Sequence, residues 1–312
     1  MSGPGATGDD DRVADAVRVL RAGGLVAVPT ETVYGLGADA ANPDAVRRVY
    51  AVKGRPGDHP LIVHVASAEC LPRWAATVPA AAQSLAAACW PGPLTIVLHR
   101  RADVDPTVTG GRETIALRVP AHPLTLAVLE AFEGGIAAPS ANRFGHVSPT
   151  TAQHVRDDLG DDVDLVLDGG PCTVGVESTI VDLTVSPPSV LRPGGIPLEA
   201  LEAIVDGPVR GDDTGPRRAP GMLASHYAPH ARVELVDDPV EAATRVAALR
   251  ADGVRTGLLD PGPDPDAYAR HLYEWLRSAD EDGLEVLVAV PPAAIGLGWA
   301  VKDRLRKAAG PR

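Results

Sequence analysis

Short apolar runs rich in branched residues alternate along this chain with longer alanine-rich stretches, and this alternation restricts the folds that the chain can adopt. The runs have the length of buried strands, and the stretches have the apolar spacing of helices. In the first two thirds of the chain, the predicted strands are 25–28, 61–65, 94–98, 115–119, 163–167 and 178–183, and the predicted helices are about 79–89, 123–132 and 150–159. We therefore expect an α/β (α+β) fold with a large mixed sheet.

The start of the chain predicts one further helix. Val13, Val17 and Leu20 recur at helical spacing and are followed by Gly23-Gly24, where glycine can end a helix. Residues 1–11 are rich in Gly and Asp and have no apolar core, so we expect a frayed tail rather than a signal peptide.

A second helix is marked at both of its ends. Asn42 is a good N-cap residue, and Pro43 suits the first turn of a helix. The helix is expected to run through Val52 and to stop at Gly54.

A linker is expected to divide the chain, because residues 206–220 carry turn formers and charges but no apolar period. Beyond it, strands at 232–236, 256–259 and 285–290 alternate with helices at about 239–251, 265–279 and 299–309. This pattern predicts a small C-terminal Rossmann-like α/β domain. The expected parts are a first domain over 12–205, a linker over 206–230 and a second domain over 231–312.

Charge and cysteine content limit the classes of protein. The net charge of −12 argues against strong direct binding to nucleic acid. The three cysteines have no CxxC spacing, so we predict neither a zinc site nor a disulfide framework, and a reducing cytoplasm fits best. No run of eighteen apolar residues occurs, so no membrane span is expected.

The usual nucleotide and metalloprotease signatures are absent, since the chain has neither GxxxxGK[ST] nor HExxH. Other segments could bind a ligand. Residues 29–37, PTETVYGLG, follow a predicted strand, which is where α/β folds place ligands, although a polar turn explains them equally well. Lys53 and Arg55 flank a glycine in a short loop and suit a polyphosphate, but they could also form a solvated basic turn.

Further polar residues occur at the ends of predicted strands. Arg118 lies in an otherwise apolar strand and requires an anionic partner, which could be a ligand or an internal acid such as Glu177. Residues 148–151, SPTT, lie at a helix start, where their hydroxyl groups could bind an anion or the segment could serve as a simple N-cap. Residues 138–142, APSAN, end another predicted strand.

Together these residues resemble the YrdC-like family, and the whole chain resembles its two-domain form, the long threonylcarbamoyl-AMP synthases. The matching motifs are PTETVYGLG (29–37), KGRP (53–56), PLIVHV (60–65), ALRVP (116–120), APSAN (138–142), VSPT (147–150), ESTIVD (177–182), LRPG (191–194), APGMLASHYAP (219–229) and IGLGWAVKDRLRKAA (295–309). The resemblance covers about residues 12–309.

The resemblance implies binding positions for two substrates. Those for threonine are Thr32, His64, Arg118, Ala138 (through its backbone) and Ser178. Those for ATP are Arg55, His59, Thr114, Ser140, Asn142, Ser148, Arg192 and Tyr227, with histidine at 59 where the family more often has asparagine. We expect Lys53, Arg55, Arg118 and Arg192 to stabilise charge during catalysis.

The implied reaction joins threonine, bicarbonate and ATP into threonylcarbamoyl-AMP, which a separate transferase then uses to modify tRNA. We expect Mg²⁺ to be held by the nucleotide rather than by a protein metal site, with Glu177 as the nearest acid. Tyr227 is expected to belong to a lid that crosses the first domain, or else to begin the core of the second domain.

Two alternatives remain open. A basic patch of Arg47, Arg48, Lys53 and Arg55 could make the first domain an RNA-binding module. The same first domain also occurs in carbamoyl-adenylate enzymes of other pathways.

Overall fold

The structure is a computed structural model, and it describes residues 6–211 and 226–311. The predicted linker over 206–230 thus lies partly outside the described residues. Of its apolar positions, Met222 lies outside them, whereas Tyr227 lies inside.

The first part of the chain folds around one large sheet. Its strands are β1 (Val26–Val28), β2 (Gly35–Asp39), β3 (Ile62–His64), β4 (Leu94–His99), β5 (Thr114–Arg118), β6 (Ile136–Ala137), β7 (Leu165–Val166), β8 (Thr179–Asp182) and β9 (Ser189–Arg192). They are ordered β7-β1-β2-β6-β3-β5-β4-β8-β9. Pairs β1–β7, β3–β5 and β4–β8 are parallel and the other pairs are antiparallel, which confirms the predicted mixed sheet.

Helices cover both faces of this sheet. They are α1 (Ala6–Arg21), α2 (Pro43–Lys53), α3 (Ala80–Cys89), α4 (Pro123–Phe132), α5 (Ala152–Leu159) and α6 (Leu198–Val205), together with short 3-10 helices at Ala68–Arg73 and Gly160–Asp162. Successive residues of β1 point to opposite faces. Val26 and Val28 pack with residues of α1 and α4, whereas Ala27 packs with residues of α2, α3, α5 and α6.

The ends of α2 match their sequence signals. Asn42 Oδ1 accepts hydrogen bonds from the backbone N–H groups of Asp44 and Ala45 at 3.1 and 3.3 Å. Gly54 ends the helix with a φ of 63°, a left-handed conformation that glycine adopts without a steric penalty.

Two expectations about the first part are wrong. Helix α1 begins at Ala6, so residues 6–11 are not a frayed tail. The segment 29–37 is not loop throughout, because Gly35 to Gly37 belong to β2. Glycine-rich β2 lacks the β-branched and aromatic residues that are typical of strands, and its pairing with β1 and β6 stabilises it.

The C-terminal part has its own parallel sheet. Its strands are β10 (Arg232–Leu235), β11 (Thr256–Leu259) and β12 (Val286–Ala289), in the order β10-β12-β11. Helices α7 (Pro239–Ala251), α8 (Pro265–Glu281) and α9 (Gly298–Ala308) alternate with them. This arrangement confirms the small α/β domain that the sequence predicts.

The two parts share an apolar cluster at their junction. Val33, Val147 and Val176 from the first part pack in one buried cluster with Tyr273 of α8 and Leu305 of α9. Polar contacts also cross the junction. Arg277 Nη2 on α8 lies 2.6 Å from Asp158 Oδ2 on α5 and donates a second hydrogen bond, also 2.6 Å long, to the carbonyl of Val147.

Candidate functional site

A narrow cavity lies beside this junction. Its lining comes from strands β2, β3, β5 and β9, from the loops around residues 30–33, 55, 138–140 and 177, and from the chain that enters the C-terminal domain. The lining residues are Thr30, Thr32, Val33, Gly35, Arg55, Ile62, His64, Arg118, Ala138, Pro139, Ser140, Glu177, Arg192, His226 and Tyr227. Its volume is about 40 Å³, room for a few water molecules. Sites for drug-sized ligands measure roughly 300–1,000 Å³, so this cavity is smaller than such a site.

Two polar side chains come from neighbouring strands. His64 of β3 and Arg118 of β5 occupy paired positions in the parallel ladder, so they lie side by side in the cavity wall. Arg118 Nη2 donates a 2.6 Å hydrogen bond to Glu31 Oε1, and Nε donates one of 3.2 Å to the carbonyl of Gly92. The internal partner of Arg118 is therefore Glu31 and not Glu177, the acid considered from the sequence.

Two buried histidines leave ring nitrogens without partners. Nδ1 of His64 and Nδ1 of His226 have no hydrogen-bond partner among the described residues. Burial, followed by the nearby Arg118, lowers the pKa of His64 to about 3, and burial likewise lowers the pKa of His226 to about 3. Both rings are neutral near pH 7. An unpartnered buried nitrogen is costly, so these positions suit polar atoms of a ligand.

The remaining threonine positions divide into two groups. Thr32 and Ala138 line the cavity, and Thr32 Oγ1 lies 2.8 Å from Thr30 Oγ1. Ser178 is completely buried behind the cavity wall, with its Oγ 2.7 Å from Thr95 Oγ1 and 3.1 Å from Arg192 Nη2. Ser178 therefore does not line the cavity but holds Arg192, which does.

Two buried arginines provide positive charge in the cavity wall. Burial lowers the pKa of Arg55 to about 10, so its guanidinium stays charged near pH 7. Its Nη2 donates a 3.1 Å hydrogen bond to the carbonyl of Pro60. Arg192 Nε and Nη2 both donate to the carbonyl of Ser178, at 3.1 and 3.0 Å. These bonds fix the two guanidinium groups while leaving both in contact with the cavity.

Lys53, expected to contact a substrate, does not line the cavity and is buried next to it. Its Nζ donates a 2.6 Å hydrogen bond to the carbonyl of Ser140 and another to the carbonyl of Asn142. Burial, aided by Arg55, lowers the pKa of Lys53 well below its usual value. The Asn142 amide donates to the carbonyls of Arg143 and His146 at 2.9 and 2.8 Å. Lys53 and Asn142 therefore hold the loop that presents Ser140.

Three other expected ATP positions do not line the cavity. Thr114 lies at the start of β5, opposite to the end that carries Arg118. The ring of His59 packs edge-on against Phe144, with 5.5 Å between centroids. Thr151 is the N-cap of α5, which confirms the N-cap interpretation of residues 148–151, and Ser148 Oγ donates a 2.7 Å hydrogen bond to Glu177 Oε1.

His226 and Tyr227 close one side of the cavity. The backbone N–H of His226 donates to the carbonyl of Lys307, and that of Ala228 donates to the carbonyl of Gly145, so this segment is bonded to both domains. Tyr227 has a φ of 63°, an unusual conformation for a tyrosine. Its ring packs in the junction cluster and also lines the cavity, so the two interpretations of Tyr227 are compatible.

Two residues near the cavity carry no prediction from the sequence. Tyr273 of α8 and Arg304 of α9 are fully buried, and both bond Glu177. The sequence offers one signal for Arg304. It lies three residues after Val301 and four before Ala308, on the apolar face of the last helix, and both of these residues are also buried.

Neither a metal centre nor a membrane span is evident within 6–211 and 226–311. No three His, Cys, Asp or Glu side chains there cluster closely enough to bind a metal ion. No helix in those ranges is long and apolar enough to span a bilayer.

The fold is that of a two-domain protein, with a cavity lined by three arginines, Arg55, Arg118 and Arg192, at the domain junction. The Sua5-YciO-YrdC family profile, described as "Telomere recombination", matches residues 18–194, and the profile of the threonylcarbamoyl-AMP synthase C-terminal domain matches residues 196–310. The chain therefore belongs to the Sua5-YciO-YrdC family, in the two-domain form of the threonylcarbamoyl-AMP synthases.

Individual relatives match the chain nearly from end to end. It is 43% identical to threonylcarbamoyl-AMP synthase of Pyrococcus abyssi, over 96% of this chain and 95% of that one. It is 40% identical to the enzyme of the same name from Bacillus subtilis, over 97% and 94%. A crystal structure of P. abyssi Sua5 in complex with L-threonine matches with a TM-score of 0.89 and 42% identity, over 95% of this chain and 94% of that one.

Proposed function

We propose that this chain forms threonylcarbamoyl-AMP and pyrophosphate from L-threonine, bicarbonate and ATP. The observation that carries the proposal is the pairing of His64 with Arg118 in the cavity wall. A neutral imidazole with an unpartnered nitrogen beside a buried guanidinium suits an amino acid. Relatives that match nearly the whole chain are named for this reaction.

Threonine would bind at the β3–β5 end of the cavity. Arg118 is the nearest cation for its carboxylate, and His64 Nδ1 and the hydroxyl of Thr32 can hydrogen-bond its hydroxyl or amine. Ala138 offers a small apolar surface for the methyl group. The P. abyssi relative was crystallised with this same amino acid.

ATP would bind toward Arg55 and Arg192, whose charges can offset those of the phosphates. We propose that magnesium arrives as part of MgATP, because both carboxylates near the cavity already have partners. Glu31 bonds Arg118 and the backbone N–H of Ala121, and Glu177 bonds Arg304. We therefore propose that Glu177 serves as an ion-pair partner within the protein, although it remains the acid that lines the cavity.

The proposed chemistry requires no protein nucleophile. Bicarbonate takes up a proton and loses water to give carbon dioxide. The free amine of threonine attacks this carbon dioxide, a C–N bond forms, one C=O π bond breaks, and the amine releases a proton to water. An oxygen of the resulting carbamate then attacks the α-phosphorus of ATP, a new P–O bond forms, and the bond to pyrophosphate breaks. The protein contributes position and positive charge.

We further propose that a separate transferase in the cytoplasm uses the product to modify tRNA. The structure weighs against the alternative of an RNA-binding module. Arg47 pairs with Asp44, Arg48 lies 2.6 Å from Asp164, and Lys53 and Arg55 are buried, so these four cations form no exposed basic patch.

One reaction tests the function. The full chain is incubated with MgATP, bicarbonate and either threonine, serine or valine, while pyrophosphate is measured and the adenylate is identified by mass spectrometry. We expect threonine to react fastest, serine about 10- to 200-fold less efficiently, and valine about 10⁴-fold less efficiently, because valine leaves buried polar groups unpaired.

Two results would contradict this function. Equal turnover of valine and threonine would exclude the proposed site. Adenylate formed from carbamoyl phosphate, but not from threonine and bicarbonate, would indicate the carbamoyl-adenylate alternative. Omission of threonine serves as the control for background ATP hydrolysis.

A further inference from the structure

The carboxylate of Glu177 lies at the cavity and is held from both domains. Ser148 Oγ of the first domain donates a 2.7 Å hydrogen bond to Oε1. Tyr273 OH of the C-terminal domain lies 2.9 and 2.8 Å from the two carboxylate oxygens, and Arg304 Nε donates a 2.7 Å hydrogen bond to Oε2. The C-terminal domain therefore reaches a residue that lines the cavity.

This carboxylate is charged although it is almost completely buried. Burial alone would raise the pKa of Glu177, but Arg304 and then Arg192 outweigh burial and bring the pKa to about 2. Arg304 has no exposed surface and forms ion pairs with Glu177 and with Asp303, which keeps a second partner in Lys307. Arg192 acts on Glu177 through space, since its own hydrogen bonds go to Ser178.

Arg304 also contacts the residue that closes the cavity. Its guanidinium carbon lies 5.1 Å from the centroid of the Tyr227 ring. That ring stacks on Tyr273 with 5.8 Å between centroids. The same two C-terminal side chains therefore hold Glu177 and Tyr227 in place.

We propose that Arg304 and Tyr273 are positioning residues for adenylate formation, acting through Glu177. Their task is to neutralise and orient this carboxylate so that Arg192 stays available for the phosphates of ATP. The proposal rests on the function proposed above and gives the C-terminal domain a direct part in it.

The charges of Glu177 and Arg192 predict how the loss of Arg304 should affect ATP binding. Glu177 would become a buried anion whose strongest remaining cationic influence is Arg192. It would attract Arg192 and repel the triphosphate, so ATP binding would weaken. The threonine positions His64 and Arg118 bond neither Glu177 nor Arg304 in the described structure, so threonine binding should change little.

Steady-state kinetics on the full chain test the proposal. In Arg304→Met, the KM for ATP should rise about tenfold or more, and the KM for threonine should stay within about twofold, because a charge-assisted contact to only one substrate is weakened. Glu177→Gln combined with Arg304→Met removes both charges and should recover most of the lost ATP affinity. Tyr273→Phe should show a smaller increase in the KM for ATP.

The pH dependence provides a readout that a purely structural role would not change. Without Arg304, burial should raise the pKa of Glu177 toward the assay range. Lowering the pH from 8 to 6 would then protonate part of Glu177 and remove its charge. The KM for ATP of Arg304→Met, divided by that of the unaltered chain, should therefore fall. The double variant, which has no carboxylate at position 177, should not show this recovery.

Arg277→Met is the matched control. Arg277 lies on α8, as Tyr273 does, and forms a largely buried ion pair across the junction with Asp158, but neither Arg277 nor Asp158 lines the cavity. This variant should lose stability and keep its KM for ATP. If it raised the KM for ATP as much as Arg304→Met does, domain docking would explain the effect and the proposal would be wrong.

The outcomes separate this inference from the function on which it rests. An unaltered chain that makes no adenylate contradicts the function itself. An active chain whose Arg304→Met variant keeps its KM for ATP contradicts only the positioning role. If Arg304→Met fails to fold, the double variant decides, because removal of a whole buried ion pair is better tolerated than removal of one partner. An ATP affinity of the double variant far below that of Glu177→Gln alone would then exclude the proposed route through Glu177.

Discussion

Arg118 and Glu31 form a buried ion pair, with 2.6 Å between Nη2 and Oε1 and less than a tenth of either side chain exposed. Glu31 Oε2 also accepts a 2.9 Å hydrogen bond from the backbone N–H of Ala121. The guanidinium that faces the cavity is thus fixed before any ligand arrives. Fixed charge is more useful for binding than charge on a mobile side chain, because less conformational freedom is lost on binding.

Glu31→Gln should therefore weaken threonine binding although Glu31 itself is not among the lining residues. The KM for threonine should rise, and the free energy of unfolding should fall by up to about 3–5 kcal/mol, because Arg118 remains as a buried, unpaired charge. Kinetics and urea unfolding measure both effects. Glu113→Gln is the control, since this exposed residue pairs with Arg100 at 3.3 Å and such pairs contribute only about 0–1 kcal/mol. An unchanged KM for threonine in Glu31→Gln would contradict the anchoring role.

Arg118→Ala and Arg55→Ala should affect different substrates. Arg118→Ala should raise the KM for threonine, and Arg55→Ala the KM for ATP, by about 10- to 100-fold each, because a hydrogen bond to a charged group contributes roughly 1.5–3 kcal/mol. Varying one substrate while saturating the other separates the two effects. If both variants lost only ATP affinity, the placement of threonine beside His64 would have to be abandoned.

Stability should fall on acidification because of two buried histidines. The folded-state pKa values of His64 and His226 are about 3, below the ordinary value, so between about pH 6.5 and pH 3 the unfolded chain binds more protons and stability decreases as pH falls. At pH 5 each of the two histidines should lower the free energy of unfolding by about 2 kcal/mol relative to its value at pH 7.5. Urea unfolding at the two pH values measures the difference. His64→Gln should reduce it, and His146→Gln, at an exposed position, should leave it unchanged.

Tyr227→Ala should increase loss of the intermediate. Removing the ring opens one side of the cavity, so water can reach the mixed anhydride and more free AMP should appear per adenylate formed. Mass spectrometry of both species gives the ratio. Tyr227→Phe keeps the ring and should stay close to the unaltered chain. An equal AMP ratio in Tyr227→Ala and the unaltered chain would show that this residue does not shield the product.

Much of the fold is readable from local sequence signals. Helix α4 spans Pro123–Phe132, as its apolar spacing predicts, and Asn42 caps α2. Strand β2 was missed because its stability comes from the strands on either side, which a local pattern does not contain. Helix α6 at Leu198–Val205, close to the expected domain end, was likewise not predicted.

The site was readable in its residue types but not in its pairings. The position of Arg118 in an apolar strand indicates a functional residue. Its partner Glu31 lies 87 positions away, and no local sequence pattern predicts the pairing. Lys53 looked like a phosphate ligand because its sequence neighbours are a glycine and Arg55; the structure turns its amine toward backbone carbonyls instead. The type of a residue thus indicates which interactions its side chain can make, whereas the partner toward which the side chain points depends on tertiary packing.

The apolar cluster shared by the two domains has a thermodynamic consequence. Val33, Val147 and Val176 bury their side chains against Tyr273 and Leu305, so unfolding of the C-terminal domain alone would expose these three valines to water. Exposing them costs free energy, so the melting of the two domains should be coupled although the sequence suggests two separable units.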